Sequence, residues 1–529
     1  MLISSAAARR PVAADMPELP SVAEPPRLLV IGLDGATLDL IRPWAERGEL
    51  PVLSGLMARG SWGVLQSTTH PITPQAWTTF MTGVNAGQHG VFGFTTRKTG
   101  SYESQLLNAS AIRSPTIWRR LSEAGLRVGV IAVPFTYPPE SVNGFLLSGF
   151  DAPVSDRRAF LPPELYDEVM REVGPYLLHE TFPVGRRFDL SAYRADVERT
   201  VFNRTAIGLH LMARHPTDLL TVVFTSTDHV QHLFWRDMEK GEGDTGRIIL
   251  DTYRLVDAAV GRLLEAAGPR VNVVVMSDHG AGALEKVFYL DQWLEDQGLL
   301  RRRRAGLASS AKGLRAALKR GLPTGARTFL RARFPGLRQR ARSLGEFSEV
   351  DWPHTRVYSE GMYGNLFVNL KGREPEGVVA AGAEYERLLD EVTEKLLGLR
   401  DPDSGEAAVS QVFRKEDLYA GPCLHLAPDL IIGRRDYAYY TSKQAERRGG
   451  DWFGEELRID SSDYPHTGTH RLEGTLIMAG PAFKVGGRIS ASLLDLAPTI
   501  LHVLGQPVPD HAEGRVLREA LADDDGERS

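Results

Sequence analysis

Short apolar runs recur along the chain, each closed by turn residues and separated by stretches of helical period. The runs are Arg27–Leu33 (RLLVIGL), Leu126–Pro134 (LRVGVIAVP), Leu219–Thr225 (LLTVVFT), Val271–Met276 (VNVVVM), Leu366–Leu370, Asp429–Ile432 and Thr475–Met478. Unbroken Val/Ile/Leu runs of this kind predict strands buried on both faces of a mostly parallel sheet. Between them, Ile249–Ala267 places Leu250, Tyr253, Val256, Val260, Leu263 and Leu264 at helical spacing. Leu493–Leu504 is a second such helix, kinked at Pro498 or started there. Alternating strands and helices imply a doubly wound α/β core, its sheet flanked by helices. No internal repeat interrupts the pattern.

Three segments fit that alternation poorly and read as inserted cap segments. The stretch at about 151–216 is mixed and helical, and 371–423 is helical and acidic. The stretch at 294–349 carries RRRR at Arg301–Arg304 and further basic residues through Arg342. It reads as solvated helices; a positively charged lid over an anionic substrate, or a contact with anionic membrane, is the functional alternative. The expected organisation is a flexible lead over 1–26, a core over 27–520 with those insertions, and a disordered acidic tail over 521–529.

Composition narrows the class. The chain has 529 residues, 42% hydrophobic and 24% charged, with a net charge of −5. These are globular values, which exclude a largely disordered, collagen-like or coiled-coil chain. The mildly acidic balance argues against specific nucleic-acid binding. No stretch reaches the roughly 18 apolar residues of a membrane span. The N-terminal apolar run is too short for a signal peptide, so a cytoplasmic protein is expected. One cysteine, Cys423, leaves no disulfide framework and no cysteine-rich zinc site. Fourteen histidines mean that a metal, if held, is held by His and carboxylate.

The candidate chemistry sits where the strands end. Asp34 and Gly35 follow LLVIGL. Asp228 and His232 follow VVFTST, and Asp278 and His279 follow VVVMS. His470 lies just ahead of the run at Thr475–Met478. Sites in open α/β sheets gather at the carboxyl ends of the strands, and carboxylates with histidines brought there by separate strands suit a metal site. A lone Asp in such a place is more often a cap or a turn; the accumulation is what points to metal. The segment His70–Gly90 supplies a nucleophile candidate. Pro74 suits the first helical position, which makes Thr73 the expected N-cap, where free N–H groups favour an anion.

With these stretches in view, the chain resembles the alkaline phosphatase superfamily, in its type I phosphodiesterase/nucleotide pyrophosphatase branch, and the bacterial phosphohydrolases and phosphomutases of that superfamily. The resemblance is carried by LLVIGLDGAT, PITPQAWTTFMTGVNAGQHGVFGF, PTIWRRLSEAGLRVGVIAVPFTYPP, STDHVQHLFW, VVVMSDHGAG, GTHRLEGTLIMAGP and SLLDLAPTILHVLGQPVP, and spans roughly Arg27 to Leu517. It implies an alkaline-phosphatase-like core and two divalent metal ions, with zinc expected and manganese the alternative. One ion would be held by Asp34, Asp278 and His279 with the Thr73 hydroxyl, the other by Asp228, His232 and His470.

The implied activity is metal-dependent phosphoester hydrolysis, a phosphodiesterase or nucleotide pyrophosphatase working through a phospho-threonine on Thr73. In that family an Asn beyond the nucleophile segment contacts the phosphoryl group. Asn108 is the candidate here, with a turn-forming role equally open. His89, His229 and His466 lie near the site in sequence and are set aside as ligands; His466 is kept as a possible substrate contact. A phosphomutase, a phosphomonoesterase and a non-catalytic binding protein stay as alternatives. A sulfatase does not, because no C/S-x-P-x-R stands at Thr73. The substrate is expected to be small and phosphorylated: a nucleotide, phospholipid headgroup or sugar phosphate. Oligomeric state is not legible.

Overall fold

The computed structural model describes residues 16–98, 100–153, 155–180, 188–241, 243–303, 347, 349–361, 363–442, 452–455 and 465–522. Among them, nine strands form one sheet. Their order is Arg488–Ser492, Gly60–Gln66, Glu473–Ala479, Asn272–Met276, Leu28–Leu33, Leu219–Phe224, Val128–Ile131, Gly144–Leu147 and Phe160–Leu161. The centre is parallel, with Leu28 beside both Leu219 and Asn272. Only Glu473–Ala479 and the edge strand Phe160–Leu161 run against their neighbours. Every residue of Leu28–Leu33 and Leu219–Phe224 is buried, as covered parallel strands require.

Helices cover both faces. One face holds Ile41, Leu53, Val201, Val256 and Val260 against Leu29, Ile31 and Val222. The other packs Trp77, Phe80, Trp118 and Ile500 against Leu28, Val30 and Val223. Leu190–Arg214, within the segment 151–216, contributes Val197, Val201, Ile207 and Leu211 to the first of these cores. Leu493–Val503 runs continuously through Pro498, opened by a reciprocal Ser492/Asp495 capping box.

Two predicted strands belong elsewhere. Asn365–Val368 and Leu430–Arg434, expected in the main sheet, pair with each other in a separate antiparallel sheet with Val357–Glu360 and Val409–Arg414. A buried apolar run states that it is covered, not by which sheet, and this was the limit of the pattern. The second sheet has its own core with the helices Leu290–Asp296 and Ala383–Leu397, including Leu294, Leu366, Leu388, Val392 and Ile432. A layer of Ile72, Leu284, Val287, Tyr289, Tyr363 and Tyr440 joins it to the main body. Conversely, Gly60–Gln66 and Arg488–Ser492 are strands with no continuous apolar run to reveal them, and the apolar run of Gly144–Leu147 is only four residues long.

Of the 1–26 lead, residues from 16 onward are described, with Met16 buried in the core. The basic run beyond Arg303 and the tail from 523 lie outside the described residues. Among the described residues no helix is long and apolar enough to cross a membrane.

The turn after the first strand is tight. Gly35 has φ +66°, and a Cβ there would lie 2.7 Å from Asp228 Oδ1. Gly48 has a similar φ of +74° but open space around it. Gly48→Ala should therefore cost only the left-handed backbone penalty, about 1–2 kcal/mol. Gly35→Ala should cost that and the clash as well. Thermal melts of the two variants test this; equal losses would show that the approach of Asp228 imposes nothing.

Candidate metal centre and nucleophile

The parallel register brings three loops to one edge of the sheet. Asp34 continues the first strand, its N–H donating to Phe224 O (3.0 Å). Its Oδ2 accepts from Trp77 Nε1–H (3.2 Å), and its carbonyl accepts from Thr227 Oγ1–H (2.6 Å). Asp278 leaves the neighbouring strand at the same level. Its Oδ1 accepts from Gly35 N–H (3.2 Å) and its carbonyl from Ser67 Oγ–H (2.6 Å). Asp34 Oδ1 and Asp278 Oδ2 are buried and have no hydrogen-bond partner.

Asp228 lies in the first turn of the helix Ser226–Lys240, and His232 sits one turn on. Residues four apart share a helix face, and His232 Nε2 is 3.4 Å from Asp228 Oδ2. His470 comes from the short strand Gly468–Arg471, paired with Gly280–Ala283 so that Ala281 faces His470. Its Nε2 is 3.5 Å from Asp228 Oδ1 and 2.9 Å from His232 Nε2. His279 stacks on His470 with ring centroids 3.6 Å apart. Its Nε2 lies 3.3 Å from Asp278 Oδ2 and 3.7 Å from Asp34 Oδ1.

One hydrogen-bond pattern orients all three imidazoles. His232 Nδ1 meets Gly468 O (3.1 Å), His279 Nδ1 meets Gly280 O (3.0 Å) and His470 Nδ1 meets Pro71 O (2.6 Å). A carbonyl can only accept, so each Nδ1 carries a proton and each ring turns its Nε2 inward. Against the cost of burial the Asp228 carboxylate raises His232 above its ordinary value, while burial lowers His279 and His470. Metal-ligating histidines are held by such outer contacts. Two lone pairs facing each other at 2.9 Å call for a cation or a proton between them.

The charges argue the same way. Burial, and then repulsion from Asp278 and Asp228, pushes Asp34 well above the usual carboxylate range. Burial and the Asp228 charge do the same to Asp278. Burial acts on Asp228 too, but His232 and His470 outweigh it and hold that carboxyl well below its ordinary value. Burial and the neighbouring His470 keep His279 neutral, well below the usual histidine range. Three clustered aspartates with two unpartnered oxygens have the donor chemistry that a divalent cation takes. Among the described residues two groups have ligand atoms within 4.8 Å of one another: Asp34/Asp228/His279 and Asp228/His232/His470, with Asp228 in both.

Thr73 opens the helix Thr73–Thr82, all ten residues of which are buried. The N-cap is Ile72, in an extended conformation, not Thr73 as the spacing predicted. Proline is tolerated anywhere in the first turn, so Pro74 locates the boundary only to within a residue. Thr73 Oγ1 lies 3.4 Å from His279 Nε2. Thus Thr73, Asp34, Asp228, His232, Asp278, His279 and His470 converge.

Asn108 does not join them. It is exposed, and its side chain accepts from Ser110 N–H (3.0 Å) as the cap of a short turn. His89 stays in its own loop, meeting Thr79 Oγ1 and accepting from Val91 N–H. His229 turns its Nδ1 to Glu180 (2.5 Å), a fully buried carboxylate also bound by Ser226. That pairing draws Glu180 down to about 2 against the cost of burial. The His466 ring lies tilted beside that of His232, ring centroids 5.3 Å apart. Trp77, which anchors Asp34, escaped the sequence reading. It stands one helical turn after Thr73, so the spacing was there but nothing marked its ring N–H as a partner.

The family model for type I phosphodiesterase / nucleotide pyrophosphatase matches residues 28–471. No curated protein matches the chain in sequence. Among solved structures, phosphonoacetate hydrolase from Sinorhizobium meliloti 1021 in complex with phosphonoformate is similar at TM-score 0.55 and 14% identity, over 92% of this chain and 99% of that one. Murine ectonucleotide pyrophosphatase / phosphodiesterase 5, in an inactive form in complex with AMP, is similar at TM-score 0.51 and 14% identity, over 94% and 100% of the two chains. The human counterpart gives TM-score 0.50 at 14% identity, over 94% and 99%. These likenesses show the fold.

Because Asp228 lies in both ligand groups and His232 in one, elemental analysis should separate them. Asp228→Ala should lose both ions and His232→Ala only one. Unchanged metal content in Asp228→Ala would reject the shared ligand.

Proposed function

This chain belongs to the type I phosphodiesterase / nucleotide pyrophosphatase family of the alkaline phosphatase superfamily, and from that premise we propose that it hydrolyses phosphodiesters with Thr73 as the nucleophile. The observation that carries this is the position of the Thr73 hydroxyl, 3.4 Å from His279 Nε2 at the mouth of the aspartate–histidine cluster. Asp34, Asp278 and His279 would hold one divalent cation and His232 and His470 the other, with Asp228 reaching both. Zinc is our first reading and manganese the second. When bound, such a pair supplies Lewis acidity, favouring the ionised hydroxyl and neutralising phosphoryl oxygens.

The chain's own groups do the rest. The Thr73 alkoxide attacks phosphorus in line; the Oγ–P bond forms and the bond to the leaving alcohol breaks, its oxygen taking a proton. The N–H groups of Thr73 and Gln75 have no intrahelical partner, and Pro74 has none to offer. They face an anion with the positive end of the helix behind them. Water then cleaves the phospho-threonine, restoring the hydroxyl and releasing the phosphate ester. Burial of the whole nucleophile helix holds Thr73 in one place, so little ordering remains to be done when substrate arrives.

The test is hydrolysis of bis(p-nitrophenyl) phosphate with added Zn²⁺ or Mn²⁺. Thr73→Ala should lower turnover about 10³-fold or more while retaining its metal. Near-normal hydrolysis by that variant would reject the nucleophile. Rearranged phosphate ester without free product, from a sugar phosphate, would replace hydrolysis with phosphoryl transfer within the substrate.

A further inference from the structure

A cavity of about 540 Å³ opens beside the nucleophile, within the size range of small-molecule sites. It lies between the loop that follows the nucleophile helix and the antiparallel sheet of the second core. Ile72, the residue before Thr73, lines it, as does Tyr363. The Tyr363 ring sits 6.2 Å from that of His470. The cavity therefore adjoins the aspartate–histidine cluster, with Ile72 and Tyr363 between them.

Its walls are mainly apolar. Phe92, Phe94, Phe367 and Leu426 supply apolar surface with Ile72 and Tyr363, and Asn365 and His425 add polar groups. Phe94 is 37% exposed, an aromatic ring presented at the rim rather than packed away. The charged residues of the lining are spent on one another. Arg97 pairs with Glu360 (3.5 Å) and Glu374, and its guanidinium lies 4.2 Å over the Phe367 ring. Arg373 binds Asp429 (2.6 Å) and Glu374 (2.9 Å). Lys98 is at the surface, 3.9 Å from Glu103. Among the described residues of the lining both arginines are committed, leaving Lys98 at the rim as the looser cation, whereas an uncharged group would displace water from aromatic walls.

We propose that this cavity binds the apolar part of the substrate, so that the enzyme acts on phosphoesters of an apolar alcohol, with Ile72, Phe94, Tyr363 and Phe367 setting the preference. The inference rests on the catalytic reading of Thr73 and the metal cluster. Two sources share this chemistry, an aromatic alcohol and a long-chain alkyl one.

Gly93 offers a clean test. It lines the cavity, and a Cβ built on it meets only Ile72 Cδ1, at 3.8 Å. A larger side chain there projects into the cavity without forcing the backbone. The metal-loaded full chain would be titrated calorimetrically with methyl-, phenyl- and octylphosphonate, none of which it need cleave. The phenyl or octyl ligand should bind at least about tenfold more tightly than methyl, and the better of the two identifies the source. Gly93→Leu should bring that ratio below about threefold. Phe94→Ala, at an exposed position that tolerates truncation, should cut it about threefold. Equal affinity for all three ligands, or a preference unchanged in both variants, would overturn the proposal. Selective binding by a protein that hydrolyses no ester would keep the pocket and reject the catalytic reading instead.

Discussion

Three aspartates that repel one another are buried at one edge of a sheet, and the rest of the molecule is arranged to keep them there. Two like charges about 4 Å apart cost about 4 kcal/mol even at an effective dielectric of 20. Asp34, Asp228 and Asp278 are all buried. Among the described residues no lysine or arginine pairs with them; Asp228 meets His232 and His470 instead. The fold fixes their outer oxygens with Trp77 Nε1–H and the Gly35 N–H and leaves Asp34 Oδ1 and Asp278 Oδ2 bare. The backbone carbonyls of Gly468, Gly280 and Pro71 enforce the same condition on the histidines, turning three ring nitrogens inward.

That constraint explains the rigidity around the proposed nucleophile. Thr73 begins a helix buried along its whole length, and Trp77 on that helix is the same side chain that anchors Asp34. Nucleophile and ligand are thus one packed unit. Gly32 makes room for it, since a Cβ there would stand 2.5 Å from the Trp77 ring. The main sheet supplies charge and geometry, and the antiparallel sheet supplies an apolar wall across from them. The Ile72–Tyr363–Tyr440 layer couples the two cores. The candidate centre and the cavity thus border the same residue, Ile72, which precedes Thr73 and lines the cavity.

The sequence by itself determined the parallel core, because a strand covered on both faces must be apolar throughout. Leu28–Leu33, Leu219–Phe224 and Asn272–Met276 announce themselves in that way. It also determined where charge would collect, since Asp34, Asp228, Asp278 and His279 each follow such a run and parallel strands bring their ends to one edge. Only the tertiary structure decided what depends on packing between distant segments. Leu366 and Leu430 are as apolar as any core strand, yet pair in a second sheet, because burial does not encode a partner. Gly60–Gln66 is a main-sheet strand without an apolar run, since backbone pairing with Glu473–Ala479 and Arg488–Ser492 places it and three of its positions are not buried. Asn108 looked like a phosphoryl contact and is a turn cap, because spacing along the chain says nothing of distance across it. The sharing of Asp228 between two ligand groups, and the cavity beside Ile72, arise from contacts between residues hundreds of positions apart, and only the folded chain brings those together.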